Sequence, residues 1–377
     1  MRKLYFFNPE NDMALASGSP FYMAPASAKK MAADLATLPA WYADAESDVW
    51  VSDERQAEWL SSECSLPLPI HGVLNISASY DEIVPWGWNP MLTHRLEDYL
   101  CKKVNIDRIR ELSSRQTAVN LLPLLRCQHT VGESHWLTSL ENVLAFASKH
   151  PKVLLKAPWS GSGKGIQPLA GQLDDNLRGW TKRIITSQGG IVGEPFYNKI
   201  KDFAMEFLVS DKRVSFAGYS LFEADVRGIY KENYLASDET IEKMLASYVP
   251  LPVLQNIRKK LLQQISFLAD ATYQGYLGVD MMIVQTEEEY AVHPCVEVNW
   301  RMNMGVVSRI FFDRHVSPEA VGRYVIEFYP RPGDALNAHE EMKLKYPLCL
   351  KEGKIASGYL SLTPVFHDTN YQIYVWV

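Results

Sequence analysis

The stretch GVDMMIVQTEEEYAVHPCVEVNW, residues 278 to 300, constrains this chain more than any other. Two apolar runs flank an acidic turn, which predicts a β-hairpin with long strands. Side chains alternate across a strand, so Glu297, Asn299 and Arg301 share one face and Val296, Val298 and Trp300 the other. Asp280 is a lone acid in the preceding apolar run. A hairpin centred between Glu288 and Glu289 sets Asp280 opposite Glu297, and Pro294 marks a bulge, because it cannot donate to the ladder. Two carboxylates and an amide oxygen suit a hard cation such as Mg²⁺. A buried acid–arginine network, with Arg301 neutralising Glu297, uses the same residues. The hairpin by itself leaves both readings open.

A second stretch, LLKAPWSGSGKGI at residues 154 to 166, ends an apolar run on Lys156 and follows it with glycines around Lys164. Glycine-rich loops can present backbone N–H groups to phosphate oxygens. A Walker loop requires GxxxxGK[ST], and here Pro158 replaces its first glycine and Gly165 its Ser/Thr. The dinucleotide fingerprint fails too, for want of a following helix. On turn chemistry alone, a phosphate cradle and an exposed hairpin loop are equally supported.

The rest of the chain sets limits. Hydrophobic residues make up 47% and charged residues 22% of the 377, the proportions of a packed protein of two or three domains. A formal net charge of -6 without a basic run gives no sign of a general nucleic-acid surface. No apolar run approaches the length of about eighteen residues that a membrane span needs, and MRKLYFF lacks a signal-peptide h-region. Cysteines 64, 101, 127, 295 and 349 are scattered and never CxxC, which predicts a reduced, cytoplasmic chain with no cysteine–histidine metal site. Strands are expected at 3–7, 48–52, KVLLKAP, GIQPLA, GIVGEPF, DFAMEFLVS, RVSFAGYSLFEA and the hairpin above. Helices are expected at about 27–38, 91–126, ENVLAFASKH, GWTKRIITS and 252–272, and a terminal hairpin at GYLSLTPVF–HDTN–YQIYVWV. NPENDMALASGSP, PLPIHG, VPWGWNP and RGIYKENYLAS read as loops.

A strand lysine, a glycine-rich loop, a hinge acid and then D…ExN on late strands make an ordered set that resembles the ATP-grasp superfamily over about residues 110 to 310. The resemblance implies an α/β (α+β) ATP-grasp fold preceded by an N-terminal α/β domain. The corresponding boundaries are 1–110 for that domain, 111–210 for the central lobe with the glycine-rich loop, 211–330 for the lobe with the metal site, and 331–377 for an extension with a hairpin. It implies ATP and Mg²⁺ (one or two ions, with Mn²⁺ as a substitute). Lys156 would meet the α- and β-phosphates, and Ser160, Gly161, Ser162, Gly163, Lys164 and Gly165 would form a loop that closes over them. Glu194, Pro195 and Phe196 in IVGEPF would form the adenine hinge, and Asp202 in KDFAMEF would bind ribose. Asp280, Glu297 and Asn299 would bind metal, and Arg301 the acceptor carboxylate or transferred group. Where the family often has a lysine leading into the central lobe this chain has SSRQT, so Arg115 is the substitute on offer.

Such members join a carboxylate to an amine or similar nucleophile through an acyl phosphate, with Arg301 and Lys164 offsetting charge at the reacting groups. An ATP-grasp kinase and a non-catalytic nucleotide-binding protein are the alternatives. Small-molecule carboxylates and nucleophiles are the expected partners, without nucleic acid or membrane, and a homo-oligomer is left open. Asn8, Glu10, Asn11 and Asp12 follow the first strand, where ligand loops occur, although local capping and turn hydrogen bonding explain them better. Trp86 and Trp88 fit packing under a loop better than substrate contact. Arg227 and Lys231 divide evenly between phosphate contact and a solvated surface, and His71 and His293 read as ordinary histidines.

Overall fold

The computed structural model describes residues 2–76, 80–161, 165–224, 230–270 and 272–377. These form two compact units, one built from 1–106, 230–240 and 301–377, the other from 107–229 and 241–300.

The first unit opens with β1 (Lys3–Phe6), α1 (Asn11–Ser17), α2 (Ala26–Asp34), β2 (Ser47–Trp50), α3 (Glu54–Glu58), β3 (Ile70–Val73), β4 (Glu82–Pro85) and α4 (Pro90–Arg95). The four strands form a parallel sheet in the order β3-β2-β1-β4. Two segments expected as loops are regular. NPENDMALASG contains α1, which buries Asn11, Ala14 and Leu15 on one side and stops at Gly18 in the left-handed conformation. PLPIHG contains β3, an edge strand with only Ile70 buried, too little apolar alternation to stand out. The helical pattern expected over about 91–126 is present as separate helices. Leu92 and Leu96 pack with Phe6 and Ile83, and the helical pattern resumes at Ile106.

The second unit starts with α5 (Ile106–Leu112), α6 (Arg115–Leu125), β5 (His135–Leu137), α7 (Leu140–Ala147), β6 (Lys152–Lys156), β7 (Ile166–Ala170), α8 (Asp175–Gln188), β8 (Ile191–Pro195), β9 (Lys199–Ser210) and β10 (Arg213–Ala224). The chain then contributes β11 (Tyr230–Leu235) to the first unit, where a loop was expected. It continues through α9 (Asp238–Ala246), α10 (Leu251–Ala269), β12 (Gly275–Gln285) and β13 (Tyr290–Asn299). Two antiparallel sheets result. One has the order β5-β8-β6-β7, the other contains the run β13-β12-β9-β10. In the first, Val153 and Leu155 of β6 join Leu137, Val143, Phe146, Leu169, Leu173 and Ile191 in a core under α7 and α8. The period-two rule therefore sends Leu154 and Lys156 to the other face.

The chain ends in the first unit with α11 (Met304–His315), β14 (Gly322–Phe328), α12 (Asp334–Lys345), β15 (Cys349–Lys351), β16 (Lys354–Ser357), β17 (Tyr359–Ser361) and β18 (Tyr371–Trp376). The expected terminal hairpin is present as the antiparallel pair β17–β18, and β14 separates β18 from β11. This late segment is sewn to the earliest one. Trp41 Nε1 donates to the Leu362 carbonyl at 2.6 Å, and the backbone N–H groups of Asn370 and Tyr371 donate to Asp34 at 2.9 and 3.0 Å.

Candidate active site

The hairpin register of the second unit builds one acidic patch. Asp280 pairs directly with Glu297, and Gly278 with Asn299. The turn is centred one residue earlier than expected, since Gln285 pairs with Tyr290, and an irregularity between Asp280 and Met282 makes up the difference. Pro294 lies in that irregular stretch, as a residue unable to donate to the ladder should. Across β9, Ala204 pairs with Asp280 and Asp202 with Met282, so Asp202 shares the face that carries Asp280 and Glu297. Asn299 Nδ2 donates to Asp280 Oδ2 at 3.0 Å. Burial holds the Asp202 carboxyl above its ordinary pKa, against the opposing pull of Lys199, whose Nζ lies 2.5 Å from Oδ2.

The other sheet supplies the cation. Glu194 pairs with Leu154, which places it diagonally across from Lys156 on the non-core face. Lys156 Nζ lies 2.5 Å from Glu194 Oε2, and Ser134 Oγ donates to the other carboxylate oxygen at 3.2 Å. Their side chains are 4% and 3% exposed, so this ion pair is fully desolvated. Sequence reasoning gave the two residues separate partners, phosphate and adenine. The structure pairs them with each other, a relation that only the strand register discloses. Pro195 ends β8, and Phe196 lies under Lys152, whose Nζ is 3.5 Å from the ring centroid.

Of the glycine-rich loop, Ser160, Gly161 and Gly165 are described, whereas Ser162, Gly163 and Lys164 lie outside the described residues. Gly165 accepts from the Ala157 N–H at 2.8 Å, and a Cβ on it would lie 2.3 Å from Ser160 Oγ. Arg115 joins this loop to the acidic patch. Its guanidinium donates to the Ala157 carbonyl at 2.7 Å, to Ser160 Oγ at 2.6 Å and to Glu297 Oε2 at 2.8 Å. The sequence offered Arg115 only as a stand-in for a lysine, because nothing local signals a contact 182 positions away.

His293 lies on the same face of β13 as Glu297, opposite Met282. It is fully buried against Tyr197, neither ring nitrogen has a partner among the described residues, and burial pushes the imidazole pKa down to about 4. Burial, and next the Glu194 carboxylate, push the Cys295 thiol up.

Arg301 departs from expectation. β13 ends at Asn299, and Arg301 belongs to the first unit. There its guanidinium grips Asp12 bidentately, Nε to Oδ1 at 2.8 Å and Nη2 to Oδ2 at 2.6 Å. Asp12 follows β1, and the chain after β4 meets its neighbours Asn8 and Asn11 at the point where the strand order reverses. Asn8 exchanges two hydrogen bonds with the Gly87 backbone, at 2.9 and 3.3 Å, and the Asn11 and Asn89 side chains meet at 3.1 Å. Trp86 is buried here against Phe7. Burial raises the Glu10 carboxyl above its ordinary pKa. Lys231 lies on β11 and His71 on β3, while Arg227 is outside the described residues.

Among the described residues, no three His, Cys, Asp or Glu side chains converge as metal ligands. The donor set formed by Asp280, Glu297 and the Asn299 amide is nevertheless the hard-oxygen type that fits Mg²⁺ when phosphate and water complete the shell.

The fold is the ATP-grasp fold that the sequence resemblance implied. Solved structures similar to the chain include N5-carboxyaminoimidazole synthetase from Staphylococcus aureus complexed with ADP, at a TM-score of 0.51 and 12% identity, covering 99% of this chain and 92% of that one. A biotin carboxylase–β,γ-ATP complex from Campylobacter jejuni has a TM-score of 0.55 at 12% identity, covering 100% and 87%. N5-carboxyaminoimidazole ribonucleotide synthetase from Thermus thermophilus has a TM-score of 0.54 at 11% identity, covering 100% and 93%. No protein-family model matches the sequence, and no curated protein matches it.

Proposed function

We propose that the protein is a Mg-ATP-dependent ligase that joins a carboxylate to an amine or similar nucleophile through an acyl phosphate. The observation that carries this reading is the Arg115 bridge, which puts the glycine-rich loop and the Asp280–Glu297 acids within one side chain of each other. A phosphate-binding loop beside an oxygen-donor patch is the arrangement that phosphoryl transfer needs, because that chemistry is mostly positioning and charge neutralisation.

In this reading Asp280, Glu297 and Asn299 hold Mg²⁺, which would neutralise charge on the transferring phosphoryl group. Lys156 contacts phosphate from the non-core face of β6, and Asp202 takes the ribose. Glu194, Pro195 and Phe196 line the base. Asn8, Glu10, Asn11, Asp12 and Arg301 serve the acceptor, with the Asp12–Arg301 pair offering both an anion site and a cation site. The solved neighbours support ATP as the nucleotide, since they include ADP and ATP complexes.

Acceptor carboxylates labelled with ¹⁸O test the mechanism. Incubated with ATP, Mg²⁺ and a panel of amines, a ligase transfers one label to inorganic phosphate and yields an amide by mass spectrometry. A stable phosphorylated product without free phosphate replaces the ligase by a kinase. Mg-ATP binding without turnover across the panel leaves a nucleotide-binding protein.

A further inference from the structure

We infer that Arg115 is a positioning residue that couples cation binding at Glu297 to the start of the glycine-rich loop; the inference rests on the metal site proposed above. Arg115 is the first residue of α6, whose N-terminus is capped by Ser114 Oγ accepting from the Gln116 N–H at 3.2 Å. Its backbone N–H donates to the Pro158 carbonyl at 3.0 Å, so main chain and side chain both engage the segment after β6. The guanidinium is 4% exposed, and Glu297 is 24% exposed. A desolvated cation thus has a carboxylate partner that solutes can reach.

A guanidinium forms several fixed bonds in one plane, so it cannot give up one partner without shifting the others. A divalent cation on Glu297 competes for the carboxylate and repels the guanidinium. The bond from Nη2 to Oε2 weakens, and Arg115 settles on its remaining partners, the Ala157 carbonyl and Ser160. Cation arrival therefore changes how firmly residues 157 to 161 are held. Linkage makes the effect reciprocal, so holding Ser160 differently changes cation affinity by the same factor.

The test uses the full chain without nucleotide. Mn²⁺ binding is followed by electron paramagnetic resonance, and amide hydrogen exchange is followed in the peptide containing 157 to 161. In the unsubstituted protein, saturating Mn²⁺ should change exchange there by about fivefold or more. Arg115→Gln should make exchange faster from the outset and insensitive to Mn²⁺, with tighter Mn²⁺ binding. Arg115→Lys keeps the charge without the fork, so the exchange response to Mn²⁺ should disappear. If Arg115→Gln does not fold, the lysine variant decides. Mn²⁺ binding that leaves exchange at 157 to 161 unchanged overturns the coupling and spares the metal site. Failure of the unsubstituted protein to bind Mn²⁺ at all removes the metal site, and the inference with it.

Discussion

Lys156 and Glu194 occupy diagonal positions on neighbouring strands and form an ion pair at 2.5 Å with both side chains at least 96% out of solvent. Removing one member of such a pair strands the other charge in a medium that cannot solvate it. Lys156→Met alone should therefore destabilise the second unit by about 3–5 kcal/mol, and Lys156→Met combined with Glu194→Leu should recover most of that loss. Urea unfolding of the two singles and the double checks it. Additive losses would mean that the residues are not energetically coupled. An alanine at 156 is consequently a poor probe of phosphate contact, because it confounds stability with binding.

Glu297→Gln removes a carboxylate from the proposed metal site and the counter-ion of Arg115 together. ATP turnover should fall by about a hundredfold or more, and Mn²⁺ binding should be lost. Asp280→Asn should retain turnover with a raised Mg²⁺ requirement. An unaltered Mg²⁺ titration in Asp280→Asn would take Asp280 out of the site.

Gly165→Ala should push Ser160 aside, since the new Cβ would lie 2.3 Å from its Oγ. Overpacking of this kind costs about 1–3 kcal/mol. Because the strain falls on the loop, ATP affinity should drop more than the thermal midpoint does. Calorimetric titration with a non-hydrolysable ATP analogue separates the two effects.

Acid should destabilise the protein through His293 and His315, whose imidazoles burial holds at a pKa of about 4. The folded state then binds fewer protons than the unfolded state between those values and the ordinary 6.5. Stability is complete above about 6.5 and is lost as pH falls toward 4, by about 3 kcal/mol for His293. Asp202, raised by burial, acts in the opposite sense in its own range. The urea midpoint at pH 7 and at pH 4.5 measures the slope, which His293→Gln should flatten.

Legibility followed burial pattern. β12 and β13 stood out because long apolar runs enclose a polar turn, and the opposition of Asp280 and Glu297 followed from the alternation rule. α1 was missed because it is only seven residues long and begins and ends in the turn formers Asn11, Asp12 and Ser17, so its helical character lies in Ala14 and Leu15 facing inward. β11, reading YKENYL, carries too many charges to resemble a strand and is ordered by its pairing with β14. The candidate site was read in the sequence as separate parts. What no local pattern encodes is register between remote segments, and the two relations that depend on it, Lys156 with Glu194 and Arg115 with Glu297, appear only in three dimensions.

The first unit gathers residues from three stretches of chain, and its strand β18 is made after the whole of the second unit. On the ribosome, Asp34 and Trp41 therefore wait for partners at 362, 370 and 371 while the whole second unit emerges and can fold as an insertion between them. During that interval the nascent amino-terminal sheet is a natural client for chaperones, and a premature stop within the closing strand should yield a product prone to degradation.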